Sequence, residues 1–405
     1  MRSVAVLGAG TMGAQIAAHL ANAGVPTLLL DLSTKVAREG LDRAKQIKPD
    51  PFFTRDAASL ITVGGFDTDL PKVKECDWIL EAVVERLDVK QSLLENVEKF
   101  RRPGTIVSSN TSGIPIAAIA QGRSDDFRRH WLGTHFFNPP RYLKLLEIIP
   151  TTETDPEVVR RMSRFADVRL GKGVVVAKDT PNFIANHIGM FGMLRVLESL
   201  DCGKYSIEEV DAMTGPAVGR PKSATFRTAD IAGIDVMYHV IKNLTDRVDD
   251  EATRRWFSMP PLVEELVKRG WAGEKAGQGF YKRVKGAEGK SEILTLDPKT
   301  FEYRPQQKPK LPPIEAGKAI EDTEERIRVL FLGHDRVGEF MRATLGTTLV
   351  YTARVTPDIA HSIDDVDRAM RWGFGWELGP FEVWDAIGIR EVLEACSVTE
   401  VPPLV

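Results

Sequence analysis

The chain has 405 residues, 43% hydrophobic and 27% charged, the composition of a folded globular protein of two or three domains and not of a disordered or fibrous one. Its formal net charge of −3 offers no electrostatic footprint for nucleic acid or an anionic membrane, so neither is expected as a partner. Three cysteines, Cys76, Cys202 and Cys396, stand far apart without a CxxC spacing, which fits a reducing compartment and predicts neither a disulfide framework nor a metal site.

The N-terminus enters MRSVAVLGAG at once, without a charged leader, and no apolar run is of bilayer-spanning length, so a cytoplasmic location is expected. From there β-rich runs alternate with helical patterns, as a parallel sheet wound by crossover helices requires. The runs predict strands at 3–8, 27–31, 78–83, 105–110, 133–138, 145–150 and 173–178, with helices at 11–23, 33–47, 87–100 and 155–168. This is an α/β class with an N-terminal Rossmann-type, doubly wound sheet.

GAGTMG sets Gly8, Gly10 and Gly13, with Thr11 and Met12 between them, at the first strand-to-helix turn. There the chain must turn tightly and present backbone N–H groups to a pyrophosphate at a helix N-terminus. A bare GxGxxG is weak evidence, but Asp31 ends the next strand roughly twenty residues on, where a carboxylate reaches the adenosine ribose hydroxyls. A 2′-phosphate would be repelled by Asp31, so NAD is the expected cofactor and not NADP.

LGTHFFNPPRYLKLLE carries His135 and Glu147 on two apolar runs separated by a proline turn. The bland reading of a lone histidine in apolar surroundings is a satisfied core residue. The chemical reading is a general base: removing hydride from a carbinol carbon requires the hydroxyl proton to leave, and imidazole titrates near neutrality. A carboxylate on its second nitrogen would fix the tautomer and stabilise the imidazolium. Two adjacent strands joined by the short turn would bring the pair together across the sheet edge.

After Asp179 the pattern becomes helical, with Pro181 as an entry residue. The domain boundaries predicted are 1–180 for the dinucleotide domain, 181–285 for a helical domain, a Lys-, Gly- and Pro-rich linker over 286–312, and a second helical domain over 313–405. The last is a repeat: SIEEVDAMTGPAVGRPKSATFRTADIAGID from Ser206 matches SIDDVDRAMRWGFGWELGPFEVWDAIGI from Ser362, with one residue of slippage. Two repeated all-α domains therefore follow the Rossmann-type sheet.

The combination of GAGTMGAQIA, EAVVERLDVK, SSNTSG, GTHFFNPP, KLLEII, KDTPNFIAN and GQGFY resembles the L-3-hydroxyacyl-CoA dehydrogenases of fatty-acid β-oxidation. The resemblance covers about residues 1–283, and the second helical copy is similar to the doubled C-terminal part of multifunctional β-oxidation enzymes. It implies NAD-dependent oxidation of a (3S)-3-hydroxyacyl-CoA, with His135 as base and Glu147 as its orienting carboxylate. It further assigns Ser112 and Asn186 to the substrate's oxygens, and Glu85, Lys90 and Asn110 to the cofactor side. Taken singly, Ser112 reads as a helix N-cap before IPIAAIA, Asn186 as a surface helix residue, and Glu85 and Lys90 as cap and surface charges.

Two departures from the family pattern stand out: His187 in place of an arginine, and GRPKSATFR (219–227) in place of the glycine-proline-phenylalanine turn that the second copy keeps at 379–381. The segment between Asp31 and Leu60 is shorter than the family's coenzyme A-binding hairpin; Lys35, Arg38, Lys45 and Lys48 on it read as a solvated face or as phosphate contacts. The resemblance implies an acyl-CoA substrate; since the sequence stops at VPPLV without the hydratase-like domain of multifunctional relatives, either an enoyl-CoA hydratase or thiolase is a separate partner or the sequence is part of a longer product. The second helical copy could dock on the first, giving a monomer with an internal pseudo-dimer in place of a homodimer. Two other readings stay open: a dehydrogenase of a free 3-hydroxy acid, and a non-catalytic NAD sensor or scaffold.

Overall fold

The computed structural model describes residues 1–201, 203–248, 251–285 and 291–405. They form two compact units: Met1–Phe183 with Ile359–His361, and Ile184–Asp358 with Ser362–Val405.

The first unit is built on an eight-stranded sheet in the order β3-β2-β1-β4-β5-β6-β7-β8. The strands are β1 Val4–Leu7, β2 Thr27–Asp31, β3 Ile61–Gly65, β4 Trp78–Glu81, β5 Ile106–Ser109, β6 Trp131–Phe136, β7 Leu145–Pro150 and β8 Gly173–Val176. Every residue of β1, β4, β5 and β6 is buried, as expected of strands covered on both faces by crossover helices. β1 to β6 run parallel, whereas β7 runs antiparallel to β6 because the connection between them is a turn too short for a crossover. The chain order reverses at β1 and β4, the point where such sheets open a ligand crevice at the strands' carboxyl ends. β3 was not predicted: only Ile61, Thr62 and Val63 have strand character before Gly64-Gly65, and its pairing with β2 supplies what local propensity lacks.

The helical unit reproduces the repeat at its caps and stops. Ser206 caps the helix Ile207–Thr214 in a capping box with Glu209, and Ser362 caps Ile363–Phe374. Five residues after each serine, a carboxylate caps the next helix: the half-buried Asp211 accepts from the N–H groups of Thr225 and Phe226 (3.1 and 2.8 Å), the buried Asp367 from those of Phe381 and Glu382 (2.8 and 3.2 Å). Gly233 and Gly388 then end those helices with φ of +105° and +112°, a conformation that favours glycine.

The two copies share one hydrophobic core, in which Met190, Phe226 and Phe280 cluster with Phe331, Phe340 and Trp384. Both copies fall within one compact unit, where their apolar faces meet in that core. Of the linker expected over 286–312, residues 286–290 lie outside the described residues, two strands fall within 291–305, and 306–311 are irregular: β10 Ser291–Leu296 pairs antiparallel with β9 Tyr281–Lys285 and with β11 Tyr303–Pro305. Glu208 anchors that sheet through a bidentate pair with Arg304 (2.6 and 2.9 Å). Among the described residues no helix is long and apolar enough to cross a membrane.

Candidate active site

The glycine turn sits at the sheet's switch point. Gly8 has φ +109°, and a Cβ there would lie 2.5 Å from the Ala82 carbonyl oxygen at the end of β4; a Cβ on Gly13 would lie 1.9 Å from the Gly8 oxygen. Those two glycines are required by the protein's own packing. Gly10 differs: a Cβ there would meet nothing within 4 Å, so its smallness leaves room at the N-terminus of α1 (Thr11–Asn22). The first turn of α1, which includes Thr11, Met12 and Gly13, contains no acidic residue, leaving its N–H groups and the helix dipole free to receive an anion. Asp31 ends β2 with Oδ2 accepting the Ala9 N–H (2.6 Å) and Oδ1 the Leu32 N–H (2.7 Å), which fixes the carboxylate beside the glycine turn. An open cradle at the helix terminus and an adjacent carboxylate fit a dinucleotide's pyrophosphate and adenosine ribose.

Next to this crevice lies a charged network. Lys90, on the helix Leu87–Phe100, is 1% exposed and pairs with both oxygens of Glu81 (2.8 and 3.0 Å) and with Glu85 Oε2 (3.3 Å). Lys90 is thus no surface charge, and Glu81, fully buried at the end of β4, is the partner that sequence reasoning missed. The only signal was an acidic residue closing an apolar strand nine positions before a lysine. Ser109 donates to Glu81 Oε2 (2.5 Å); the exposed Glu85 accepts from the Thr111 hydroxyl (2.5 Å) and the Ser112 N–H (2.9 Å). Ser112 is half-buried, and its hydroxyl makes no hydrogen bond with the described residues. It is not the N-cap expected before IPIAAIA, because that helix, Ile116–Ile119, begins after Pro115 and is capped by Asp179 through the N–H groups of Ile116 and Ala117 (2.7 and 2.9 Å). Asn110 accepts the Phe136 N–H (2.9 Å), tying the exit of β5 to the residue after His135.

His135 and Glu147 are direct cross-strand partners in the β6–β7 pair, with His135 Nδ1 2.7 Å from Glu147 Oε2. Glu147 is fully buried and His135 4% exposed. The pair lies inside the sheet and not at its edge as expected, for β8 flanks Glu147 at Val175. The rings of Phe137 and Phe183 stand 4.5 and 5.5 Å from the imidazole and set apolar surface beside it. With Glu147 accepting the Nδ1–H, the lone pair is on Nε2, which has no hydrogen-bond partner among the described residues. This arrangement can take a proton at Nε2 and stabilise the resulting charge through Nδ1.

Asn186 belongs to the helical unit, half-buried in the first turn of the helix Ala185–Asp201. Its neighbour His187 bonds through Nε2 to the Tyr351 hydroxyl at 2.7 Å, across the two helical copies. On α2 (Thr34–Ala44) and beyond it, Lys35, Arg38, Lys45 and Lys48 are all exposed, and Lys45 pairs with Asp42. Cys76 and Cys396 are free thiols whose pKa burial pushes up to about 11; Cys202 lies outside the described residues.

The sheet order and glycine turn are those of a dinucleotide-binding dehydrogenase. The family model of the 3-hydroxyacyl-CoA dehydrogenase NAD-binding domain matches residues 3–180, and that of the same family's C-terminal domain matches residues 183–283. The chain is 46% identical to a probable 3-hydroxyacyl-CoA dehydrogenase of Deinococcus radiodurans, over 73% of this chain and 86% of that one. It is also 46% identical to a probable 3-hydroxyacyl-CoA dehydrogenase of Bacillus subtilis, over 97% of its own length but 52% of the relative's. It therefore spans about half of that longer protein. A solved 3-hydroxybutyryl-CoA dehydrogenase of Escherichia coli, 21% identical, shares the fold with a TM-score of 0.71 over 97% of this chain and 93% of that one. The chain belongs to the 3-hydroxyacyl-CoA dehydrogenase family, and NAD is the cofactor its N-terminal domain is built to bind.

Proposed function

We propose that this chain oxidises (3S)-3-hydroxyacyl-CoA thioesters to 3-oxoacyl-CoA. The observation that carries the reading is the buried His135–Glu147 pair, whose imidazole keeps its second nitrogen without a hydrogen-bond partner among the described residues, beside the Phe137 and Phe183 rings. NAD, when bound, supplies the hydride acceptor. Gly8, Gly10, Thr11, Met12, Gly13 and Asp31 hold its pyrophosphate and ribose, with Glu85, Lys90 and Asn110 on the same side. His135 Nε2 takes the proton of the 3-hydroxyl, and Glu147 keeps the imidazole in the accepting tautomer and stabilises it once charged. The Ser112 hydroxyl and the Asn186 amide bond the substrate's oxygens and orient the reacting carbon. In the reverse direction His135 gives the proton back.

The substrate's β-hydroxyl is the product of hydrating a 2-enoyl thioester, so a hydratase supplies it and a thiolase consumes the 3-oxo product, as in β-oxidation. Whether the two helical copies act as an internal pseudo-dimer or the chain pairs as a homodimer is read from a light-scattering mass. The decisive assay follows nicotinamide absorbance with the purified chain, NAD, a chain-length series of 3-hydroxyacyl-CoA thioesters, and the matching free acids. Turnover of the thioesters orders of magnitude above the free acids is expected. Preference for the free acids overturns the substrate assignment, and no turnover of either leaves an NAD-binding scaffold.

A further inference from the structure

The segment that departs from the family's turn, GRPKSATFR, forms one wall of a cavity of about 90 Å³ inside the helical unit. Where the second copy turns directly into its helix at Gly379-Pro380-Phe381, the first copy runs through Gly219 (φ +66°), Arg220, Pro221 and Ala224 (φ +49°) before Asp211 caps the helix at Thr225 and Phe226. A left-handed alanine is a strained conformation, held here in the cavity wall itself.

Two features of the lining define what it accepts. The first is Arg220. Its guanidinium lies 3.8 Å from the centre of the Trp376 ring of the second copy, and none of the described residues gives it a hydrogen bond or a carboxylate within 4 Å. Desolvation pushes its pKa down to about 10 with no opposing carboxylate. A half-buried cation in that state is costly unless an anion joins it. The second is a deformable apolar part of the wall: Met190, Met193, Met213 and Met341 surround a gap beside Gly192.

The polar atoms present cannot replace Arg220 as donors. Thr214, Thr344 and Thr348 donate their hydroxyl hydrogens to carbonyls one turn back on their own helices (2.9, 2.8 and 2.7 Å). Thr225 donates to Thr214 (2.8 Å), and Thr228 to the Ala224 carbonyl (2.6 Å).

We propose that this cavity binds a small monocarboxylate with a short apolar tail, its carboxylate on the Arg220 guanidinium and its tail among the four methionines. The proposal does not rest on the activity assigned to His135. Planar guanidinium matches a carboxylate bidentately while its face stays on Trp376, and the small volume limits the tail to a few carbons.

Isothermal titration of the full chain with butanoate and hexanoate tests this, with hexylamine and hexan-1-ol as probes that keep the tail and change the head. Saturable binding of the carboxylates, and none of the amine or alcohol, is expected. Arg220→Met should weaken carboxylate binding roughly ten- to a hundredfold, the worth of a charged hydrogen bond. Gly192→Leu, whose Cβ meets Thr348 only at an ordinary 3.5 Å, should fill the gap and abolish binding with helix content retained. Equal binding of all three head groups, or carboxylate binding unchanged in both variants, overturns the proposal, as does no binding to the unaltered chain.

Discussion

His135 and Glu147 face each other squarely across two antiparallel strands, and that register alone sets the 2.7 Å separation of Nδ1 and Oε2. A slip of one residue would turn the carboxylate to the opposite face of the sheet. On the proposed mechanism, His135→Ala should lower kcat by about 10²- to 10⁴-fold, the usual contribution of a positioned base. Glu147→Gln, which keeps the shape but not the charge, should also lower kcat strongly. NAD binding, followed by titration calorimetry, should be unchanged in the alanine variant. Near-normal turnover in both would remove the pair from the mechanism.

Gly10 and Gly13 should respond differently to the same added methyl group. Gly10→Ala meets open space, so thermal stability should be nearly unaltered while NAD affinity falls about tenfold or more. Gly13→Ala meets the Gly8 carbonyl oxygen at 1.9 Å and should destabilise the unit itself. Thermal melts with and without NAD separate the two effects, and equal loss of NAD affinity without loss of stability in both would contradict the assignment.

Lys90→Met leaves Glu81 buried without its cation. About 3 to 5 kcal/mol of stability should be lost, read from urea unfolding, because an uncompensated buried charge is far more costly than the pair. The double variant Glu81→Gln with Lys90→Met should recover a large part of that loss. If the single variant is as stable as the parent, the network is not holding the helix Leu87–Phe100 to the sheet.

Two buried groups, one in each unit, should respond to acid with opposite signs. His19, 7% exposed, is pushed down from 6.5 to about 4, first by burial and then by the nearby Lys172 charge. The folded protein then binds this proton less well than the unfolded chain, so stability is lost as pH falls from about 6.5 towards 4. His19→Gln should flatten that slope in calorimetric melts.

Asp367 behaves inversely: burial raises it from 3.8 to about 7 against the two N–H groups it caps. Its folded form holds a proton that the unfolded form has released, so its contribution is greatest below about pH 4 and is lost as pH rises towards 7. Asp367→Asn, still able to accept a hydrogen bond, should remove this slope while leaving that of His19. A slope unchanged by the substitution would assign the titration elsewhere.

Whatever depends on neighbours along the chain was legible in the residues alone. The glycine turn and Asp31 follow from local geometry at one strand–turn–helix unit, and the repeat was visible because Ser206 and Ser362, Asp211 and Asp367, and Gly233 and Gly388 make the same local caps and stops. Strand order and shared burial emerge only on folding. The acidic strand end nine positions before Lys90 does not by itself say that the lysine is buried against it, and nothing in the sequence says that Arg220 reaches the Trp376 ring of the other copy. Likewise β3 and β10 are strands because a partner pairs with them, not because their residues insist on it. Backbone turns and caps involve residues a few positions apart, whereas desolvation and sheet register are set by chain segments brought together only on folding.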